Sequence, residues 1–105
     1  MADASRNILL ECTDFNGRNV NLTRSVAIHI GERHPEMVPF LRAVCAVLAA
    51  PDLVYLRPRV SSHLFYKLGI LTGKLSNTYM VVVVRYNEVG GGEVRTAYPT
   101  TSPAN

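Results

Sequence analysis

The run Tyr79-Met80-Val81-Val82-Val83-Val84-Arg85-Tyr86 contains four consecutive valines. Unbroken β-branched residues, in place of the alternation of a half-exposed strand, are typical of a strand buried on both faces. The glycine-rich segment 87–92 predicts a connection, after which residues 93–98 return as an antiparallel partner. We therefore expect a sheet with the valine strand in its interior.

Shorter β-prone runs precede the valine strand. Residues 53–56 form one such run and residues 63–68 form another. Near the N-terminus, residues 8–10 and 20–22 flank the turn signal Asn16-Gly17. This pattern predicts an opening β-hairpin.

Two helices are predicted between the hairpin and the later strands. Thr23 is a candidate N-cap for a helix that begins near Arg24. Pro35 cannot continue that helix past about Arg33, and it suits the first position of a second helix, which Pro51 ends. Apolar residues at three-, four- or seven-residue steps predict the buried stripe, which comprises Val26, Ile30, Met37, Leu41, Val44 and Leu48.

These elements predict an α+β fold, in which an N-terminal hairpin or strands and two adjacent helices pack on a small antiparallel β-sheet. A chain of 105 residues is expected to form a single domain. We expect its core between about residues 8 and 101, and a polar C-terminal tail, Pro99 to Asn105, that frays.

The composition is that of an ordinary globular protein, with 48% hydrophobic and 18% charged residues. The net charge of +3 is compatible with a polyanionic partner. No apolar run approaches the roughly 20 residues that cross a bilayer, so no membrane association is expected. With no signal peptide evident, we expect a cytoplasmic protein in which Cys12 and Cys45 are reduced.

Acid–base chemistry is indicated by the stretch Ile28-His29-Ile30-Gly31-Glu32-Arg33-His34-Pro35-Glu36. Imidazole has an unperturbed pKa close to neutrality, so His29 and His34 are suited to proton transfer. The guanidinium of Arg33 matches two phosphate oxygens. Because the proline creates a corner between the helices, we expect these three side chains to lie close together and to face the sheet.

Several short motifs, in this order of helix and sheet, resemble phage-type members of the Barnase–EndoU–Colicin–RelE (BECR) nuclease group. The resemblance covers about residues 20–101. It rests on His29-Ile30, Arg33-His34-Pro35-Glu36, Pro51-Asp52, Phe65-Tyr66-Lys67, Val81 to Arg85 and Val94-Arg95-Thr96-Ala97-Tyr98. It implies helices packed on a small antiparallel sheet, and a metal-independent RNA-cleaving toxin or phage effector with active groups on the first helix and the sheet face.

Sheet residues complete the candidate site. Tyr66 offers a hydroxyl and a stacking ring, and Thr96 offers a hydroxyl donor. The predicted catalytic residues are therefore His29, Arg33, His34, Tyr66 and Thr96, and the predicted nucleic-acid contacts are Arg33, Lys67, Arg85 and Thr100. The convergence of Tyr66, Arg85 and Thr96 depends on a strand register that the sequence does not determine.

Each candidate also has a structural interpretation. His29 and Arg33 are compatible with a solvated helix surface, and His34 with a cap before Pro35. Tyr66 is compatible with a half-buried sheet aromatic, and Thr96 with an ordinary strand residue.

The leading prediction is an endoribonuclease that cleaves RNA by acid–base catalysis without a cofactor. Its expected partner is RNA, and a neutralising antitoxin or immunity protein is a candidate second partner. The alternative is a catalytically inactive module of the same fold that binds nucleic acid or protein. A purely structural or dimerising domain is the third interpretation. No metal site is predicted, because His29 and His34 lack the spacing of a zinc peptidase and no Cys-x-x-Cys occurs.

Overall fold

The computed structural model describes residues 7–103. Six strands form one sheet in the order β1-β2-β6-β5-β4-β3. They are β1 (Ile8–Thr13), β2 (Asn19–Thr23), β3 (Leu53–Arg57), β4 (Ser62–Lys67), β5 (Tyr79–Tyr86) and β6 (Gly92–Thr100). Neighbouring strands are antiparallel except for β2 and β6, which run parallel.

The fold is therefore α+β, as predicted, but the prediction of a purely antiparallel sheet is wrong. The N-terminal hairpin is confirmed, and it joins the sheet through β2. The chain leaves β2 into the helices and builds the other half of the sheet. It then returns with β6 beside β2 and in the same direction. Parallel strands cannot be joined by a tight turn, and here the long segment between β2 and β6 provides the crossover.

The helical part is α1 (Arg24–Arg33), a 3₁₀ segment (Pro35–Ala43) and α2 (Val44–Ala49). The N-cap prediction is confirmed, since the Thr23 hydroxyl accepts a hydrogen bond of 3.3 Å from the Val26 N–H. The second helix was expected to be α-helical from Pro35, and this is wrong for its first nine residues. Pro39 lies inside that segment, lacks an N–H donor and disfavours α-helical angles at the residue before it.

The main core lies between the helices and one face of the sheet. The predicted stripe is confirmed: Ile30, Met37, Val44 and Leu48 are buried, and Val26 and Leu41 pack partly buried against them. From β5, Met80, Val82 and Val84 face this core. Val81 is buried in a separate cluster on the opposite face, so the valine strand has apolar surroundings on both sides, as its sequence predicts.

Cys12 on β1 and Cys45 on α2 form a disulfide, with Cα atoms 5.0 Å apart. The expectation of two reduced thiols is therefore wrong. The pairing results from the packing of α2 against the edge strand β1, which the residue pattern does not reveal. Disulfides persist in oxidising compartments and are rare in the cytosol, so this bond disagrees with the expected cytoplasmic location.

The C-terminal strand is longer than predicted. Pro99 and Thr100 belong to β6, opposite Met80 and Tyr79, so the tail does not fray from Pro99. Proline is tolerated there because β2 pairs with β6 only at Gly92 and Glu93, which leaves this end of β6 without a hydrogen-bonding strand on that side. The last two residues of the expected tail lie outside the described part. None of the helices formed by residues 7–103 has the length and apolar character needed to cross a bilayer.

Candidate nucleic-acid interface

Four of the chain's five tyrosines share one face of the sheet. Residues directly opposite each other on paired strands point to the same face. Tyr66 and Tyr98 both lie opposite Val81, and Tyr55 lies opposite Leu64, two residues from Tyr66. Tyr79 lies two residues before Val81 on β5. We call this surface, which carries Tyr55, Tyr66, Tyr79 and Tyr98 and lies opposite the main core, the tyrosine face.

The rings of the tyrosine face form a packed cluster around Tyr66. Tyr55 and Tyr79 each make an edge-to-face contact with Tyr66, with ring centroids 5.6 and 5.9 Å apart. Tyr66 itself is 1% exposed, whereas Tyr55 is 38% exposed and Tyr79 and Tyr98 are half-buried. The surface available to a ligand is therefore made by the three outer rings, which Tyr66 supports from below.

The strand register also places arginines on the tyrosine face. Arg57 and Arg85 both lie opposite Ser62, from the strands on its two sides. Both arginines are exposed. Glu93, opposite Arg85, adds one carboxylate. The face thus combines aromatic rings with guanidinium groups at one end.

A cavity of about 590 Å³ lies at this end of the sheet. Arg85 links it to the tyrosine face, and Arg95, in the β-bulge of β6, lies on its wall. The complete lining is Ser61, Arg85, Tyr86, Asn87, Glu88, Glu93 and Arg95. Two guanidinium groups are therefore balanced by two carboxylates within the cavity.

His34 lies between α1 and the 3₁₀ segment and borders the tyrosine face. Its ring packs against the Tyr98 ring, with centroids 5.8 Å apart. Its Nδ1 atom is 3.8 Å from Oε2 of Glu36. The predicted corner at Pro35 thus brings one imidazole to the sheet, with a carboxylate beside it.

His29 and Arg33 lie one turn apart on the exposed side of α1. Within residues 7–103, the structure records no ion pair or ring contact that joins either side chain to His34 or to Tyr98. Of the three side chains expected to meet at the corner, His34 is the one with a recorded contact to the sheet.

The predicted sheet residues divide between the two faces. Tyr66, Arg85, Thr96 and Thr100 all belong to the tyrosine face, since Thr96 lies opposite Val83 and Thr100 opposite Tyr79. The Thr100 hydroxyl donates a hydrogen bond to the Ser102 carbonyl at 3.0 Å. The prediction that Lys67 joins the same surface is wrong. Lys67 lies opposite Met80 on the other face, and its ammonium group donates to the Ala50 carbonyl at 2.6 Å.

Tyr98 is one of four residues of this face that sequence reasoning missed as site residues; the others are Tyr55, Arg57 and Tyr79. Burial raises the pKa of the Tyr98 hydroxyl, nearby Tyr66 adds to the effect, and the positive charge of Arg57 opposes it. The hydroxyl is therefore a hydrogen-bond donor at neutral pH. Strand periodicity was the available signal, because Tyr98 and Thr96 are two residues apart and must share a face.

A second polar cluster lies on the other face, around Tyr86. Its hydroxyl donates to Oδ2 of buried Asp14, while the Asn16 and Arg18 N–H groups donate to Oδ1. The Arg18 guanidinium lies 5.0 Å above the Tyr86 ring. The His63 ring contacts the same ring, with centroids 4.8 Å apart. This cluster joins the β1–β2 turn to β5. The Tyr86 hydroxyl and the Asp14 carboxylate are hydrogen-bonded to each other, which indicates a structural role.

Comparison with known protein families, with curated proteins and with solved structures found no match. No group of three or more His, Cys, Asp or Glu side chains converges as around a metal ion within the described part of the chain.

Proposed function

We propose that this chain binds single-stranded RNA on the tyrosine face. The observation that supports this most directly is the presence of three accessible tyrosine rings and two exposed arginines on one sheet surface. Single-stranded nucleic acids bind to surfaces that combine aromatic rings for base stacking with cations for the backbone. The overall charge of +3 favours such a polyanion.

Different residues of the tyrosine face suit the bases and the phosphates of the RNA. Tyr79 on β5 and Tyr98 on β6 offer ring surface to bases. Arg85 lies at the other end of β5, where its guanidinium suits a phosphate. A duplex would hide its base faces from the rings, so the arrangement favours unpaired RNA.

Metal-independent cleavage of the bound RNA is a second candidate function, favoured by the position of His34. Attack by the ribose 2′-hydroxyl requires a proton acceptor, a proton donor and stabilisation of the phosphorane charge. The His34 ring lies against Tyr98 at the border of the face, and its Nδ1 atom is 3.8 Å from a carboxylate oxygen of Glu36. Tyr66 is too deeply buried to take part directly.

A BECR-like arrangement is part of this proposal. The helices cover one face of the sheet and leave the face with Tyr66, Arg85 and Thr96 to the ligand. If cleavage occurs, a neutralising protein that covers the tyrosine face would be needed in the producing cell.

Binding is tested by fluorescence anisotropy with a labelled single-stranded RNA at several salt concentrations. Tyr98→Leu removes a stacking ring and is expected to weaken binding by roughly tenfold, since a stacked base contributes about 1–3 kcal/mol. Arg85→Gln is expected to lower the affinity and the salt dependence by about one phosphate contact. Arg42→Gln, at an exposed position of the 3₁₀ segment, is the matched control. Equal affinities for all four proteins would contradict the proposal.

Cleavage is tested on the same RNA in the presence of a chelator, with analysis of the product ends. A 2′,3′-cyclic phosphate identifies attack by the 2′-hydroxyl. His34→Gln is expected to abolish cleavage and to retain RNA binding, and His29→Gln provides a matched change on the exposed side of α1. Cleavage at the parent rate by His34→Gln would exclude the proposed acid–base role of His34. Binding of the RNA by the parent chain without cleavage would support RNA binding as the function and exclude cleavage.

A further inference from the structure

The cavity at the Arg85 end of the sheet is continuous with the tyrosine face. Its volume of about 590 Å³ is within the range of ligand sites, which measure roughly 300–1,000 Å³. Arg85 and Glu93 lie opposite each other on β5 and β6, belong to the tyrosine face and also line the cavity. An RNA strand that lies on the tyrosine face can therefore extend into the cavity.

Two connections between strands form the walls of this cavity. Ser61, just before β4, lines one side, and Asn87 and Glu88, in the connection from β5 to β6, line the other. That second connection is held by its own hydrogen bonds. The Asn87 N–H donates to the Gly91 carbonyl at 2.8 Å, and the Val89 N–H donates to Oδ1 of Asn87 at 3.0 Å. Glu88 thus lies in a turn that is ordered before a ligand arrives, which lowers the cost of binding.

The charged groups of the cavity are of both signs. Arg85 and Arg95 contribute guanidinium groups, and Glu88 and Glu93 contribute carboxylates, so the four formal charges cancel. Arg85, Arg95 and Glu88 are exposed. The carboxylates disfavour a phosphate inside the cavity, because like charges that are brought together repel. The cavity therefore suits a neutral group that carries both hydrogen-bond donors and acceptors.

An unpaired nucleobase is such a group. Its ring nitrogens and carbonyl oxygens accept hydrogen bonds from a guanidinium, and an exocyclic amino group donates to a carboxylate. These edges are accessible in single-stranded RNA and hidden in a duplex. Arg85, which the cavity shares with the tyrosine face, stays available to the phosphate of the same nucleotide.

We propose that the cavity receives one unpaired base of the bound RNA and prefers a base with an exocyclic amino group over uracil. This inference rests on the RNA-binding function proposed above and adds a base preference to it. Glu88 accepts a hydrogen bond from the amino group, and Arg95 donates to a neighbouring ring nitrogen or carbonyl. Uracil has no amino group and carries its N3–H between two carbonyl oxygens, which a carboxylate repels.

The test compares the affinities of single-stranded RNAs that differ at one position. The strands are an oligouridine and the same oligouridine with one cytidine, one guanosine or one inosine, measured by fluorescence anisotropy. Cytosine and uracil have rings of equal size, and inosine is guanosine without its amino group, so size does not confound either comparison. The parent chain is expected to bind the cytidine strand at least about fivefold more tightly than oligouridine, and the guanosine strand more tightly than the inosine strand.

Glu88→Ala is expected to bring the ratio of the cytidine and uridine affinities close to one. Glu32→Ala removes the same charge from the exposed side of α1 and is the matched control, with the ratio of the parent chain. The ratio is the readout because a change in net charge alters the affinity for every RNA strand. Circular dichroism confirms that each variant is folded. Glu88→Lys, which is also expected to lose the preference, replaces Glu88→Ala if that variant is not folded.

The outcomes separate this inference from the proposed function. Equal affinities of the parent chain for all the strands, or a preference that Glu88→Ala retains, would overturn the base preference and leave RNA binding on the tyrosine face in place. A gain in affinity from a 5′-terminal phosphate that Arg95→Gln removes would assign the cavity to a phosphate and would also overturn it. Absence of saturable binding of any strand to the folded parent chain would contradict both proposals.

Discussion

The hydroxyl of Tyr86 on β5 donates a 2.5 Å hydrogen bond to Oδ2 of Asp14, a residue 72 positions earlier in the chain. This contact ties the turn of the N-terminal hairpin to the centre of the sheet. A hydrogen bond between a tyrosine and a buried carboxylate links two parts of the fold that share no local sequence signal.

Removal of the Tyr86 hydroxyl is expected to destabilise the protein. Tyr86→Phe retains the ring but leaves the buried Asp14 carboxylate with one donor fewer. Hydrogen bonds to charged groups contribute about 1.5–3 kcal/mol, so we expect the free energy of unfolding to fall by about 2 kcal/mol. Urea denaturation provides the measurement, with Tyr55→Phe at an exposed position as the control. An equal fall in the free energy of unfolding of the two variants would show that the hydrogen bond to Asp14 does not account for the destabilisation.

Asp14 is expected to make the fold sensitive to acid. Burial acts to raise the pKa of Asp14, but hydrogen bonds from Tyr86, Arg18 and Asn16, with the Arg18 charge, outweigh it and lower that pKa below its usual value. A lowered folded-state pKa gives stability that is present above the unfolded pKa and is lost as the pH falls through the folded value. The free energy of unfolding of the parent chain should therefore decline below about pH 4. Asp14→Asn should be less stable at neutral pH and should show a shallower decline, and a decline of the same size in both proteins would contradict this assignment.

His63 is expected to add a second pH dependence at higher pH. Burial lowers the pKa of His63 below its usual value, and the nearby Arg18 charge adds to this, against the opposing charge of Asp14. The unfolded chain then binds the proton more readily, so stability is full above about pH 6.5 and falls as the pH drops from there to the lowered folded-state pKa. His63→Phe preserves an aromatic ring beside Phe65 and Tyr86 and should reduce this slope. Unfolding curves collected between about pH 5 and 7.5 measure it, and an unchanged slope in the variant would exclude His63 as the source.

Reduction of the disulfide is expected to lower stability. The bond joins Cys12 to Cys45 across 33 residues, and closing a loop of this length typically stabilises a small domain by about 2–4 kcal/mol. Thermal unfolding of the parent chain should shift to lower temperature when a reductant is added. The double variant Cys12→Ser/Cys45→Ser should unfold near the reduced value and should not respond to the reductant. A parent chain that is equally stable in both conditions would show that the bond does not support the fold.

Local patterns predicted the elements well and their arrangement less well. The valine run, the Thr23 cap and the Asn16-Gly17 turn are each determined by neighbouring residues, and all three are found in the fold. The parallel pairing of β2 with β6 and the disulfide depend on contacts between distant segments, which periodicity does not encode. The 3₁₀ segment was missed because the prediction followed the apolar spacing and did not consider Pro39.

The candidate site was predicted in part for the same reason. Once the register is known, Tyr66, Arg85 and Thr96 do share a face, but Lys67 alternates to the other side. The histidine–arginine cluster was inferred from closeness in sequence. On a helix, however, adjacent residues point in different directions, and His34 rather than His29 has the recorded contact with the sheet.

The most direct test of the central claim is a map of amide and aromatic NMR shifts during titration with a short single-stranded RNA. RNA binding on the tyrosine face predicts saturable shifts at Tyr79, Thr96 and Tyr98, and none of comparable size along α2 or β1. Shifts confined to the helices, or no saturable shift in a folded protein, would contradict it.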